Sequence, residues 1–336
     1  MKRTLLATVL ALPILACLVV AAVPSLFGLE QAPIVAQVVA VRIGVVGIAV
    51  VLALLFCLLL APKASRRFAG VVITMLVVFS LVSSGIHFSR GTGSGEAVQD
   101  GDVTVLSWNT LGDEPSVDQL VALILETEAD IVALPETTGE YATEAAVVLR
   151  DAGHPFWVHT THFSLDYGAL STSLMISADL GEYTTDLEIG QTRTLPTIVA
   201  TPDDDNGPTI VATHPVAPIP QQMRNWRSDL DFIASLCGQS DSVIMAGDFN
   251  STVDHWSSLG SDGGDIGTCR DAAASVGAGT SGTWPSSLPA WLGAQIDHVV
   301  ATPDWKPIDA RVITSTGDSG SDHRPIVAVL REQQSQ

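Results

Sequence analysis

The sequence predicts an α+β sandwich, two packed sheets with helices outside, carried behind three membrane-spanning helices. Two observations lead there. Residues 4–27, 33–61 and 68–88 are almost wholly apolar, and everything beyond about Arg90 is of ordinary soluble composition, with many short β-type segments and few helical ones. Roughly 240 of the 336 residues are left for the second part, enough for one large domain with a sizeable core.

Each apolar stretch approaches or exceeds the roughly 20 helical residues needed to cross a hydrocarbon layer. The first is too long for a cleaved signal, and no convincing small-residue cleavage site follows, so it is expected to be retained. Arg42 interrupts the second and is expected near an interface, leaving Ile43–Leu60 as its cleanest span. Lys2 and Arg3 precede the first stretch, and Lys63, Arg66 and Arg67 lie between the second and third. The intervening Gly28–Pro33 carries only Glu30. The excess of bases on cytoplasmic loops then places the C-terminal domain outside, in a multi-pass cell-membrane protein. No ionisable residue sits mid-span except at Arg42, so the spans are expected to be an anchor rather than a transporter. The expected organisation is an anchor at 1–90, a flexible linker at 91–102 (GTGSGEAVQDGD), a catalytic domain at 103–331 and a tail at 332–336.

Within the domain, Val103–Trp108, Asp130–Leu134, Phe156–His159, Leu170–Ile176, Leu195–Thr201, Thr209–Thr213, Ser242–Ala246, Ile296–Ala301, Ala310–Thr314 and Pro325–Leu330 are predicted strands. Ser116–Glu128, Glu140–Arg150 and the amphipathic Ile219–Cys237 are predicted helices. Of the acids, 35 of 36 lie beyond Arg90, with nine of the 16 bases, a net charge of −26 there. Such a surface repels polyanions and argues against a broad grip on duplex nucleic acid. Cys17 and Cys57 lie in apolar spans. Cys237 and Cys269 lack the paired spacing of a zinc site, and if the domain is exported they are free to pair; disulfide and free thiols both stay open at this stage.

Polar residues recur at the strand ends. Asn109, Glu136 and His214 each follow a strand, Asp248 and Asn250 follow another, Asp297 enters one, and Asp322 and His323 precede the last. A lone strand-end acid is usually a turn former, but packed strands bring such ends into one pocket. Oxygen ligands suit magnesium, which neutralises a phosphoryl oxygen while a carboxylate activates water and an imidazole meets the developing charge. His298 should point to the opposite face from Asp297 and is read as structural. The run Asp203–Asp205 is read as a solvated turn.

SWN at 107–109, PE at 135–136, THP at 213–215, GDFN at 247–250, IDHV at 296–299 and SDHRP at 321–325 together resemble the ordered motifs of the endonuclease/exonuclease/phosphatase superfamily, over residues 103–331. The resemblance implies a four-layer α/β/β/α sandwich and a membrane-anchored bacterial member. It implies that Asn109, Glu136 and Asp322 hold Mg2+ (or Mn2+), with Glu136 the principal ligand. Asp248 would align or deprotonate water, Asn250 would orient it, and Asp297 would hold His323 towards the phosphate, with His214 as a second imidazole there. The expected substrate is a phosphoester, whether nucleic acid, lipid head group or small phosphodiester; beyond the bilayer no stable protein partner is expected. Leu111 stands where abasic-site endonucleases carry an aspartate, and Thr283-Trp284-Pro285 resembles the aromatic substrate wall of several branches, with core packing an equal alternative. The rival expectation is a non-catalytic receptor or scaffold on the same fold, which predicts degraded motifs.

Overall fold

The computed structural model describes the chain except for residues 1, 92, 94, 165–167, 186–188, 205, 241, 317 and 334–336 and the side chains of 2–8. The expected acidic turn is therefore described only to Asp204, which accepts hydrogen bonds from the amide (3.1 Å) and side chain (3.3 Å) of Asn206, and the tail only to Gln333. The chain divides into two compact units, Met1–Arg90 and Gly91–Gln336.

The first unit holds α1 (Lys2–Ala22), α2 (Val35–Ala40), α3 (Arg42–Cys57, extended by a 3-10 turn to Leu60) and α4 (Arg66–Phe88). Among the described residues, two helices, Arg42–Leu60 and Arg66–Phe88, are long and apolar enough to cross a membrane; the described apolar part of α1, Val9–Ala22, is shorter than the first of the three spans expected. The second apolar stretch is broken at Val41. There buried Arg42 opens α3 and donates from Nη1 to the Ala22 carbonyl at 2.9 Å, satisfying a terminal acceptor of α1.

The second unit is a sandwich of two six-stranded sheets. One has the order β11-β12-β1-β2-β4-β3 and the other β5-β6-β7-β8-β10-β9. The first comprises β1 (Val103–Ser107), β2 (Ile131–Pro135), β3 (Phe156–His162), β4 (Ser171–Ser177), β11 (Trp305–Val312) and β12 (Ile326–Glu332). The second comprises β5 (Tyr183–Thr185), β6 (Ile198–Pro202), β7 (Thr209–Thr213), β8 (Val243–Asp248), β9 (Arg270–Asp271) and β10 (Asp297–Ala301). Between the sheets, Val105, Ile131, Ala133, Leu174 and Ile176 meet Ile198, Ile210, Ala212, Ile244 and Val299. On the outer face of the first sheet, Leu106, Val132, Leu134 and Met175 pack on Leu120, Ile124, Ala142 and Leu149 of α5 (Val117–Thr127) and α6 (Gly139–Asp151). Both faces are thus covered, which is why these strands read as unbroken apolar runs. α5 starts at a capping box in which Ser116 and Gln119 satisfy each other's amides. Over the second sheet lies α7 (Met223–Gln239), with Leu236 beside Val199, Val211 and Val243.

Several expectations change. β11 begins five residues earlier than predicted, because its bulge between Pro307 and Asp309 hides the alternation of a strand. α7 starts at Met223 rather than Ile219, after the turn that follows Pro220. The described part of 91–102 is bonded to the unit rather than free. Gly93 donates to Gly277 (2.7 Å), Gly95 to Asp309 (3.1 Å) and Glu96 to Ile308 (2.8 Å), while Arg331 holds Asp102 at 2.6 Å. A Cβ on Gly95 would stand 1.8 Å from the Ile308 carbonyl, so the glycine that suggested looseness allows close approach. Cys237 and Cys269 are joined, with Cα atoms 5.5 Å apart.

Candidate active site

Topology explains why eight polar residues scattered over 215 positions share one end of the sandwich. β1 and β2 run parallel, as do β7 and β8, so the residues that follow them (Asn109, Glu136, His214 and the end of β8 at Asp248) emerge at the same side. β10 and β12 run antiparallel to these strands, so the residues that begin or precede them (Asp297, and Asp322 with His323) arrive at that side too. The register sets Asp297 opposite Asp248 and His298 opposite Gly247. At Gly247 any Cβ would lie 1.9 Å from the Thr213 carbonyl, so the strand carrying Asp248 lies against that carrying His214 only with glycine there.

Asn109, fully buried, donates from Nδ2 to Glu136 Oε1 (3.0 Å) and Asp248 Oδ2 (3.2 Å). The same two oxygens lie 3.8 and 3.6 Å from His214 Nε2. Asp248 also accepts from the amide and Nδ2 of Asn250, at 2.8 and 3.3 Å. Asp297 Oδ2 pairs with His323 Nδ1 at 2.8 Å, which leaves His323 Nε2 3.8 Å from both Asp248 Oδ2 and Asp322 Oδ1. All eight residues expected from the sequence therefore converge. Glu136 and Asn250 have positive φ of 52° and 45°, a conformation costly for side-chain-bearing residues and characteristic of sites held in place by their surroundings.

Burial raises the pKa of Glu136, against the opposing hydrogen bond from Asn109, and raises that of Asp248, against the opposing charge of His323. For His323 burial works against the charged ring, but Asp297 and then Asp248 outweigh it and lift the value to about 10. Burial, with the His323 charge adding to it, takes His214 down to about 3. The pocket thus holds one cationic and one neutral imidazole.

Asp248, Asp297 and His323 can each bring a ligand atom within 4.8 Å of the others. His323 Nδ1, however, is engaged by Asp297. The oxygen-rich set of Glu136 and Asp248, with Asp322 Oδ1 buried and lacking a hydrogen-bond partner among the described residues, fits a hard cation better. Asn109 departs from the expected ligand role in one respect: its nitrogen faces the carboxylates, while Oδ1 accepts from the Leu111 amide at 3.0 Å.

Sequence reading missed the residues that hold this set in place. Ser321 donates to the Asn109 carbonyl (2.7 Å) and accepts the His323 amide (3.0 Å). Asp113 accepts the amide and hydroxyl of Thr138 beyond Glu136, at 2.9 and 2.6 Å. Thr283 Oγ1 accepts the Asp297 amide (3.1 Å), and Asp229 accepts those of Val216 (3.2 Å) and Arg193 (2.6 Å). Ser321 and Thr283 lie in segments singled out for other residues, and Asp229 left a signal of its own: it is an acid three residues after Trp226 and four before Ile233, on the buried stripe of α7. His298 is structural as expected. It faces Asp271 at 2.7 Å and the Ser251 and Gln295 carbonyls at 3.0 Å, behind Phe249 and Trp256.

The model of the Endonuclease/Exonuclease/phosphatase family matches residues 106–323. Among solved structures, humanized D. rerio TDP2 shares 16% identity at a TM-score of 0.53, covering 68% of this chain and 99% of that one. D. rerio TDP2 complexed with a single strand DNA product shares 16% at 0.52, covering 69% and 100%. An endonuclease/exonuclease/phosphatase from Bacteroides vulgatus shares 17% at 0.51, covering 70% and 100%. No curated protein matches the chain.

Proposed function

The chain belongs to the endonuclease/exonuclease/phosphatase family, and from that premise we propose that it is a metal-dependent phosphoester hydrolase whose catalytic unit stands outside the membrane that its N-terminal helices cross. The observation that carries the chemistry is the pairing, within one pocket, of the buried acid Asp248 with the imidazole of His323, whose Nε2 lies 3.8 Å away. Glu136 and Asp322 would hold Mg2+ or Mn2+, which when bound neutralises phosphoryl charge, with Asn109 orienting Glu136 through its Nδ2. Asp248, steadied by Asn109 and Asn250, receives the proton of the attacking water. His323, kept charged by Asp297, turns Nε2 towards the phosphate and offsets the charge that gathers there. His214, whose Nε2 lies 3.8 and 3.6 Å from the Glu136 and Asp248 carboxylates, would face the phosphate as a second imidazole.

Two features support the location. Basic residues flank the N-terminus and the 62–67 loop, and the Cys237–Cys269 bond suits an oxidising compartment. The test uses the full chain and a generic aryl phosphodiester. Activity should appear with magnesium or manganese and vanish with EDTA. Glu136→Gln, which keeps size and removes charge, should lose most of the activity and bind the ion at least about tenfold more weakly by calorimetry. Undiminished metal binding by that variant would remove Glu136 from the site, and turnover in EDTA would remove the metal.

A further inference from the structure

The rim of the site carries apolar surface that hydrolysis does not require. Residues 284–294 form a loop closed at its base, where Trp284 and Ala294 exchange amide-to-carbonyl hydrogen bonds of 3.0 and 2.7 Å. Buried Arg324 braces it, donating to the carbonyls of Gly282 (3.4 Å), Pro285 (3.1 Å), Ser286 (2.7 Å) and Leu288. The loop opens from the site itself, because the Trp284 indole donates to Asp322 Oδ2 at 2.9 Å. It has no charged residue, and it presents Trp284, Leu288 and Trp291 to the outside, 37%, 43% and 61% exposed. Single exposed apolar side chains are ordinary; three on one braced, uncharged loop form a surface of the kind that beds into a membrane interface.

The path of the chain identifies what that surface meets. Thr280 Oγ1 donates to the Gly91 carbonyl at 2.8 Å, so Gly91 touches the segment two residues before Gly282. α4 ends at Phe88, and in sequence only Ser89 and Arg90 separate it from Gly91. If α4 crosses the bilayer, the residue that touches the base of the loop follows the span by three positions.

We propose that the 284–294 loop beds into the bilayer surface, and that the site works on phosphate esters carried by lipids. The inference rests on the membrane and hydrolase readings above. A nucleic acid is the poorer occupant: the second unit carries a net charge of −26, and the loop supplies no base to offset it.

All seven tryptophans lie beyond residue 90, so tryptophan emission reports on the second unit alone. The full chain is reconstituted in phosphatidylcholine vesicles with plain or brominated acyl chains. Brominated lipid should quench the wild type, Trp291→Ser should lose most of that quenching, and Trp157→Ser, at an exposed position on β3, should keep it. Trp291→Ser should also cleave vesicle-borne phosphatidylcholine several-fold more slowly while its turnover of a soluble aryl phosphodiester is unchanged. Chain that floats with vesicles but is quenched no more than Trp291→Ser overturns the loop assignment alone. Chain that fails to float overturns the anchor and the inference with it. Quenched chain that hydrolyses neither ester leaves the loop in place and overturns the catalytic reading. Emission that responds to a single-stranded oligonucleotide and not to bromine makes the loop a base-stacking platform and sinks the lipid assignment.

Discussion

At the scale of single residues, the Asp297–His323 pair invites the closest test. The carboxylate fixes the ring's orientation and favours its charged form, so Asp297→Asn should cut turnover by orders of magnitude while the unit stays folded. His323→Ala should be at least as severe, and the double variant little worse than the worse single one, because the two act as a unit. A double-mutant cycle on turnover, with thermal melts as the folding control, measures this; losses that simply add would show two independent residues. With His323 lifted to about 10, its protonation should hold through neutral pH and fail only on the alkaline side, so wild-type activity should fall there. These residues were legible because each sits next to an apolar run whose end a sequence can mark. The holding roles of Ser321, Thr283 and Asp113 were not, because each also reaches backbone 14 to 212 positions away, and no local pattern records such a partner.

At the scale of elements, long apolar strands and the helices α5 and α6 could be read directly, while short pieces could not. β5 has three residues, β9 two and α8 (Ala272–Ser275) four, too few for any period to show. Nor does a strand's sequence name its neighbour: the last strand, β12, lies between β11 and β1, inside the sheet that the first strand began. β9 nonetheless carries a stabilising group of its own. Asp271 caps α8 through the Ala274 amide (2.7 Å) and faces His298, both fully buried. Each ring nitrogen of His298 meets an acceptor, so both must donate and the ring is charged. Burial opposes that charge, but Asp271 outweighs it and raises the His298 pKa. The stabilisation is therefore complete below the unfolded value of about 6.5 and is lost as pH rises through the folded one. Asp271→Asn should cost about 3–5 kcal/mol in chemical denaturation and flatten that alkaline decline. Equal stability of variant and wild type would deny the pair any structural weight.

At the scale of the whole molecule, the two units differ in composition so sharply that their border at Arg90 could be read by eye, whereas the bonding of Gly95 and Glu96 to β11 could not. A reporter fused after Gln336 should behave as exported, and a cytoplasmic signal would reverse the proposed topology. The disulfide belongs to the same question. It closes a loop that contains β8 and the Asp248–Asn250 turn, so Cys237→Ser with Cys269→Ser should lower stability by about 3–4 kcal/mol, read as a drop in melting temperature. A melting temperature indifferent to the loss would indicate thiols that do not pair in the cell.

The central position of β12 also bears on how the pocket is assembled. Ser321, Asp322 and His323 precede β12, Asn109 follows β1, and Ser321 reaches the Asn109 carbonyl across 212 positions of chain. Neither half of the pocket exists until β12 has paired with β1. The pocket is thereby completed by a contact of very long sequence separation, the kind whose loop closure is slowest to form, so its geometry reports on the whole sheet rather than on either end of it.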